Sequence, residues 1–576
     1  MPLKGLNIEE KFEKKNEVIE KPKNFSYTTQ YFRKKKSQMD NIFEQIRPDL
    51  QELSDYFSPR TSRFLVFDIN KPIRKSKKIL NSITLSVVRN FASGMQSGAT
   101  SAASRWFKMQ MKNKQLNDLH EVKQWCSHQE ELTRRILSDS RFYEKMLGIY
   151  KSLAVYGFGC LSMESDFEHV VNFKLLPVGS YRYAKNHREE IDTFCRSFQD
   201  TARNIVNKYG YENCSERIKQ AYDNNLDSYF ELCYFVEPNK EYNPKSPLAK
   251  HKKFISATFE INSDKFLKLS GYDRFPFAVF EAEVNGEDNY PSNCPAIEAL
   301  PDVKQLMVQV KEYAKAVKKM VSPLYKGPAS MQKQKGLNDA AGQIIFEDEN
   351  GRGLSPVYEI NPRVLELKNH NDELVQTIKE HFYNDLFAVI LNTAERTRTA
   401  TEVNEVKEEK MVLLSPLLDQ VHKGLRCVLD WIFWETYSTG IMEEYPQVMQ
   451  SEEFETQFVS ALALAQKVKE ISGMERYTTF VANLAQVTDP SLIKKINGDK
   501  LIDGYADIAN VNPEYVNPTE DVDKYREQLA KQQEQQQQMQ ALQQGADIAN
   551  KFGGLVQNMG GIDSVGGDLQ TRLGVG

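Results

Sequence analysis

"ALPDVKQLMVQVKEYAKAVKKM", Ala299 to Met320, decides how the middle of this chain folds. Val303, Leu306, Val310, Tyr313, Val317 and Met320 recur in steps of three and four, a heptad seam made to pack against another long helix. Pro301 and Asp302 suit a first helical turn, where a missing N–H costs nothing and an acid faces the positive end of the helix dipole. Lys304, Lys311, Lys315 and Lys318 stand at offsets 0, 7, 11 and 14 and so form one cationic stripe on a different face. "SPLYKGP" from Ser322 closes the helix, and strand candidates "GQIIFE" and "LSPVYEI" follow in a Gly-containing insert. A second helix is expected from about Asn371 to Ile390, with Leu374, Ile378, Phe382 and Leu386 four apart. Helix, tip and helix build a stalk with a knob at its end.

Outward from the stalk, the return helix breaks at "LNTAERTR", residues 391–398. Arg396 and Arg398 there can cap a helix, take a salt bridge or face phosphate. Thr399 and Glu402 form a capping box for a new helix running to Gly440, with a kink expected near Ser415 because Pro416 removes a backbone hydrogen bond. Residues 451 to about 530 read as helical, "KQQEQQQQMQALQQG" as low-complexity with helical propensity, and the Gly-rich end as poorly ordered. Before the stalk, about 60–295 is an α+β lobe. It has one or two helices from His120 and strand candidates "CLSMES", "FKLLPV", "YFELCYFV", "KFISATFEI" and "FPFAVFEAEV". The first 50 residues read as a solvated, partly helical arm with a basic run "FRKKK" at 32–36; "IRKSKK" at 73–78 is a second basic cluster.

Composition and motifs narrow the function. With 40% hydrophobic and 27% charged residues the chain can bury a sizeable core, and its net charge of -4 names no partner. No stretch approaches the 18 apolar residues of a membrane span. Seven scattered cysteines without a CxxC pair suit small core hydrophobes in a reducing setting. "FASGMQSGATSAASRWFKMQ", Phe91 to Gln110, invites an enzymatic reading, but "GMQSG" is neither a nucleophile elbow nor a P-loop nor a dinucleotide fingerprint. No zinc spacing and no EF-hand pattern occur elsewhere. No enzymatic activity, metal or cofactor is therefore expected. Small residues followed by Trp106 and Phe107 read instead as a packing device, either within one subunit or between two.

Four segments resemble the portal protein family, the head-to-tail connectors of short-tailed bacteriophages. They are "FASGMQSGATSAASRWFKMQ", "CPAIEALPDVKQLMVQVKEYAKAVKKMVSPLYKGP", "RTATEVNEVKEEKMVLLSPLLDQVHKGLRCVLDWIFWETYSTGIM" and "FVSALALAQKVKEISGMERYTTFVANLAQV". Their order and spacing over about 60–515 carry the match; Ala102-Ala103-Ser104 stands where the family pattern leads one to expect a proline, which puts only the local turn in doubt. The resemblance implies an α+β, mainly helical portal fold in a ring, usually a homo-oligomer of twelve, around a central channel. It divides the chain into an arm (1–50), wing (51–297), first stem helix (298–321), clip (322–370), second stem helix (371–391), channel loop (392–399), long Pro-kinked wing helix (400–440), crown (441–530) and tail (531–576).

It also implies a virion protein at one capsid vertex, assembled in the host cytoplasm. Its expected partners are double-stranded DNA, the major capsid protein, the packaging terminase, a tail adaptor, and scaffold or internal core proteins, with no membrane. A separate head–tail adaptor is the competing reading. Arg396, Arg398, Lys304, Lys311, Lys315 and Lys318 are candidates for the DNA channel; the stem lysines alternatively pair with acids such as Glu380 and Asp385 on neighbouring helices. Lys326, Lys333 and Lys335 are candidates for docking at the clip, or solvated lysines.

Overall fold

The computed structural model describes residues 26–59, 64, 78–113, 116–321, 325–328, 344–347, 355–356, 364–391, 400–449, 454–459, 461–487, 496–508 and 522–536. The chain divides into two compact units, residues 1–473 and 474–576.

In the first unit, helices α1 (Thr29–Phe57) and α2 (Ile83–Ala99) precede strand β1 (Phe107–Met111). Helices α3 (His120–Asp139) and α4 (Phe142–Tyr156) lead into β2 (Phe158–Asp166) and β3 (Val170–Leu176). Strands β4 (Tyr181–Lys185) and β5 (Ile191–Thr201), two short helices, then β6 (Tyr229–Pro238), β7 (Phe254–Glu260) and β8 (Phe266–Tyr272) follow. These five strands pair consecutively and antiparallel, a meander in the order β4-β5-β6-β7-β8. β9 (Phe277–Glu281) returns to β2 and completes a second sheet, β3-β2-β9. The register of β2 against both neighbours buries Phe158, Cys160, Leu161 and Met163.

Residues 26–50 are not simply a solvated arm; residues 1–25 of that expectation lie outside the described residues. α1 runs straight through residue 50, and Phe32, Met39, Phe43, Leu50, Leu53 and Phe57 are buried along it. Phe32 packs between Phe235 and Phe266 of the five-stranded sheet. The "FRKKK" run is consumed by that docking: Arg33 pairs with Asp264 at 2.8 Å, Lys35 with the buried Glu237, and Lys36 with Asp40. Asp40 also takes Arg182 of β4 at 3.1 Å, whose guanidinium lies 3.5 Å over Phe43. A basic run that looks solvated in sequence thus answers Glu237 of β6, Asp264 in the turn between β7 and β8, and Asp40 of its own helix. Of the second cluster, Lys78 pairs with Asp55 at 2.9 Å; residues 73–77 lie outside the described residues.

The segment 451–530 is not helical throughout. Phe454–Phe458 is a strand, antiparallel to Phe107–Met111 with Phe107 opposite Phe458. Phe454, Thr456 and Phe458 alternate with polar residues, a period of two that a helical reading passes over. Beyond it a helix spans Ala461–Val487 across the division between units. In the second unit Asp499, on helix Gly498–Ile508, holds Arg526 through two contacts of 2.7 Å.

The small-residue run is helix α2, and its glycines permit close approach. A Cβ on Gly94 would stand 2.2 Å from the Phe387 ring. Glycine in a helix normally costs about 0.5–1 kcal/mol against alanine; here overpacking dominates. Gly94→Ala should therefore destabilise the fold by about 1–3 kcal/mol, read as a lowered denaturation midpoint, where an exposed helical glycine would give a gain.

Two buried ionisable groups give stability opposite pH slopes. Burial and the nearby Arg426 push His422 down to about 4. The unfolded state then binds the extra proton between pH 6.5 and 4, so stability falls as pH drops through that window, by about 3 kcal/mol in all. Burial pushes Glu130 up to about 7 although it accepts the Met109 N–H at 2.8 Å. The folded state holds that proton longer, so stability falls as pH rises from 4.5 to 7. Glu130→Gln, which keeps the acceptor, should gain stability over the parent as pH goes from 5 to 8. His422→Phe should flatten the acid-side loss. Denaturation midpoints across pH 4–8 test both slopes.

Candidate functional site: the charged helical hairpin

The hairpin starts earlier than its sequence suggests. Helix α7 (numbering two short helices, Ala202–Tyr209 and Glu216–Asn224, as α5 and α6) spans Pro295–Val321, so Pro295 rather than Pro301 opens it. Proline suits that position because its absent N–H would be unpaired anyway. The Cys294 carbonyl accepts from Ile297 and Glu298. The tip contributes strands β10 (Tyr325–Pro328), β11 (Ile344–Glu347) and β12 (Ser355–Pro356), in the order β11-β10-β12 with β10 and β11 parallel. The chain returns in α8 (Val364–His381) and α9 (Asn384–Leu391). Between them Tyr383 takes a left-handed φ of 53°, which breaks the single helix expected over 371–391. The long helix α10 (Ala400–Ser438) continues through Pro416 without ending there; its capping residue Thr399 lies outside the described residues.

The hairpin is anchored at its base. Ala299, Val303, Leu306 and Met307 of α7 and Leu374, Ile378, Phe382, Leu386 and Phe387 of the return are buried. Phe382 meets Phe57 at 5.6 Å and Phe91 at 6.5 Å, tying α1 and α2 to the stalk. His381 lies between Glu298 (3.5 Å) and Asp302 (3.4 Å), and His370 meets Gln305 at 3.3 Å, so α7 and α8 run antiparallel. Toward the tip the seam opens: Val310, Tyr313 and Val317 are half-buried and Met320 is exposed.

The lysine stripe is present but not uniform. Lys304 pairs with Glu52 of α1 at 2.8 Å, and Lys315 with Glu312 at 2.7 Å, which holds the Glu312 carboxyl below its usual range. Lys311 and Lys318 are exposed and form no ion pair with a described residue. Lys326 falls in β10; Lys333, Lys335, Arg396 and Arg398 lie outside the described residues.

Trp106 and Phe107 are buried within the single chain. Trp106 stacks on Phe142 and on Phe458 at 6.2 and 6.4 Å, and its indole N–H donates to Tyr143 Oη at 3.3 Å. Both side chains are covered by residues of their own chain. Sequence reading missed the acids that organise the lobe: Glu237 accepts from Tyr31 Oη, Glu281 from Tyr183 Oη and Lys185, and Glu260 from Ser215 Oγ. It named Glu380 but passed over Glu366 and Glu373, which stand with it on α8, exposed and seven residues apart.

Among the described residues no group of three or more His, Cys, Asp or Glu is placed to hold a metal, and no helix is long and apolar enough to cross a membrane. Of the buried titratable groups named above, Glu130, Glu237, Glu260 and Glu281 hold hydrogen-bond partners, and His422 stacks on Phe458. What the molecule offers is a braced stalk with charged faces.

Comparison with known proteins gives that stalk a family. The portal protein of Salmonella phage epsilon15 is 31% identical over 487 residues, 84% of this chain and 87% of its own. The probable portal protein of Bordetella phage BPP-1 is 31% identical over 512 residues, 87% and 91% of the two chains. A chain from the virion of a native gene transfer agent particle aligns over 75% of this chain and 89% of its own, at TM-score 0.35 and 10% identity, too distant to carry an argument. The family described as "Bacteriophage head to tail connecting protein" matches residues 29–516, and this chain belongs to it.

Proposed function

We propose that this connector assembles as a ring of twelve copies at one capsid vertex and is the conduit for double-stranded DNA in packaging and ejection. The observation that carries this reading is the match to two phage portal proteins across more than four-fifths of the chain, beside a family match over residues 29–516 that takes in the hairpin and the long Pro-containing helix. In this reading the α+β lobe is the wing, α7 with α8 and α9 is the stem, residues 322–370 are the clip, 392–399 the channel loop, and the helices beyond Val459 the crown. Pairing of Phe454–Phe458 with Phe107–Met111 supports assigning residues up to 459 to the wing.

The role is structural. DNA binding strengthens with every counterion released, and a wall of many cations would stall a moving duplex. A chain with net charge -4 suits passage, with a few basic positions, Arg396 and Arg398 of the channel loop, meeting phosphate. The clip, through Lys326, Lys333 and Lys335, receives the terminase during packaging and a tail adaptor afterwards. The wing meets the major capsid protein, and scaffold or internal core proteins meet the crown. Assembly takes place in the host cytoplasm.

Twelve chains of 66.3 kDa give a ring of 12 × 66.3 kDa, about 800 kDa. Native mass spectrometry of the purified chain should find closed rings in that range; a monomer or a small adaptor-sized oligomer would overturn the reading. Arg396→Glu with Arg398→Glu should leave ring mass unchanged and lower packaged DNA per particle. Unaltered packaging and genome retention would remove the two arginines from the channel.

A further inference from the structure

We propose that the loop between β2 and β3 is a docking knob: Phe167, flanked by Asp166 and Glu168, inserts into an apolar, basic-rimmed socket on a protein that surrounds the connector. The proposal rests on the vertex reading above and deepens it, because it gives the lobe a contact residue and its partner a chemistry.

Two features of this short loop break local rules. Asp166 and Val170 face each other in the antiparallel register of β2 and β3, so Phe167, Glu168 and His169 form the whole turn. Val170 takes a left-handed φ of 67°. Glycine or asparagine normally holds such a place, and a β-branched side chain is the least suited to it. Phe167 stands 109% exposed, the most exposed of the large hydrophobic side chains among the described residues. Single exposed apolar residues are common on protein surfaces. Full exposure on a strained turn is not, and backbone strain of this kind clusters where a protein clamps a ligand or switches.

A shelter lies beside the loop, and Phe167 does not use it. A cleft of about 610 Å³ separates the hairpin from the start of α4, with Asp166 and His169 at its loop side and Val171, Phe173 and Leu175 among its walls. A ring that folded back there would bury apolar surface. Held in water instead, it leaves that hydrophobic free energy to a partner.

Position and charge say which partner. The Ser165 hydroxyl donates to Glu435 Oε1 at 2.7 Å, which ties the hairpin to the last turns of α10. About 50 Å of helix separate Glu435 from the start of α10 at Ala400, next in sequence to the channel loop. Asp166 and Glu168 flank the ring in sequence. The lysines at the foot of the hairpin are already answered, Lys174 by Glu164 at 2.6 Å and Lys145 by Glu144 at 2.9 Å. A phosphate backbone is repelled by such a tip. A socket with Lys or Arg at its rim is drawn to it, and charges placed there set encounter rate and orientation. The occupant is therefore a protein surface and not DNA.

Hydroxyl-radical footprinting of the full-length chain, read by mass spectrometry, tests the knob. Phe167 should be oxidised readily in the purified connector and protected in assembled phage particles. A connector present in particles with Phe167 oxidised as in the purified chain overturns the knob and leaves the vertex reading intact. A connector absent from particles overturns both. Protection already in the purified ring makes a second copy the occupant and overturns the outside partner. Phe167→Ser should leave ring mass and far-ultraviolet circular dichroism unchanged and lower connector copies per particle about tenfold, the loss expected of one aromatic anchor. Phe167→Leu should retain most of the incorporation, and Glu168→Lys should lower it. Phe167→Ser incorporated like the parent overturns the knob; so does Phe167→Ser that misfolds, since its own chain then holds the ring. Phe167→Leu failing as badly as Phe167→Ser overturns the apolar socket, and Glu168→Lys incorporated like the parent overturns the basic rim.

Discussion

The stack of Trp106 on Phe458, with His422 against the other ring at 4.1 Å, is the contact on which the first unit depends. It joins residues far apart in sequence: the end of the small-residue run, the long helix α10 and the strand that returns after it. The Val459 N–H donates to the Trp106 carbonyl at 2.9 Å, so backbone and rings close the same junction. Flat aromatic surfaces bury large area at fixed orientation. Because β1 is held on one side by Phe454–Phe458 and on the other by Glu130, α3 and α10 are placed together, and α10 in turn lies on β9 through Gly424 against Phe280.

The cost of that junction is a neutral histidine in an apolar stack. His422 Nε2 has no hydrogen-bond partner and Arg426 lies close, so protonation would place two cations beside one ring. The opposite compromise is made at Glu130, whose buried carboxyl caps a strand N–H. Neither group faces a cleft with a nucleophile or an electrophile. Their shifts follow from closing the core around β1, which is why perturbed ionisation here carries no catalytic meaning.

Much of this was legible in sequence, and the exceptions have physical causes. Long apolar periodicity identified α7, α8 and α10, because repeated burial at 3.6-residue spacing leaves a strong signal. The helix start moved from Ala299 to Pro295 because a proline at the first position competes with one further in, and both satisfy the same local rule. Phe454–Phe458 escaped because five residues between helical stretches give a weak period-two pattern, and its identity depends on a partner strand far away in sequence, Phe107 opposite Phe458 and Met111 opposite Phe454. "FRKKK" looked solvated because composition does not show that Glu237 waits on a distant strand and Asp264 in the turn between two others. The glycines of "GMQSG" resolved in the other direction: motif logic excluded chemistry, and only the Phe387 ring 2.2 Å from a would-be Cβ shows what Gly94 is for.

Several cations of the first unit are placed alike. Arg33, Lys35 and Arg182 answer acids in the lobe, Lys304 answers Glu52 where α1 meets the stalk, and Lys315 answers Glu312 on its own helix. Cations of this kind bring their counterions with them as carboxylates and so offer little to a polyanion, since affinity for duplex DNA comes from releasing the condensed ions that unpaired cations replace. Basic residues placed this way brace helices without leaving a bare cationic face.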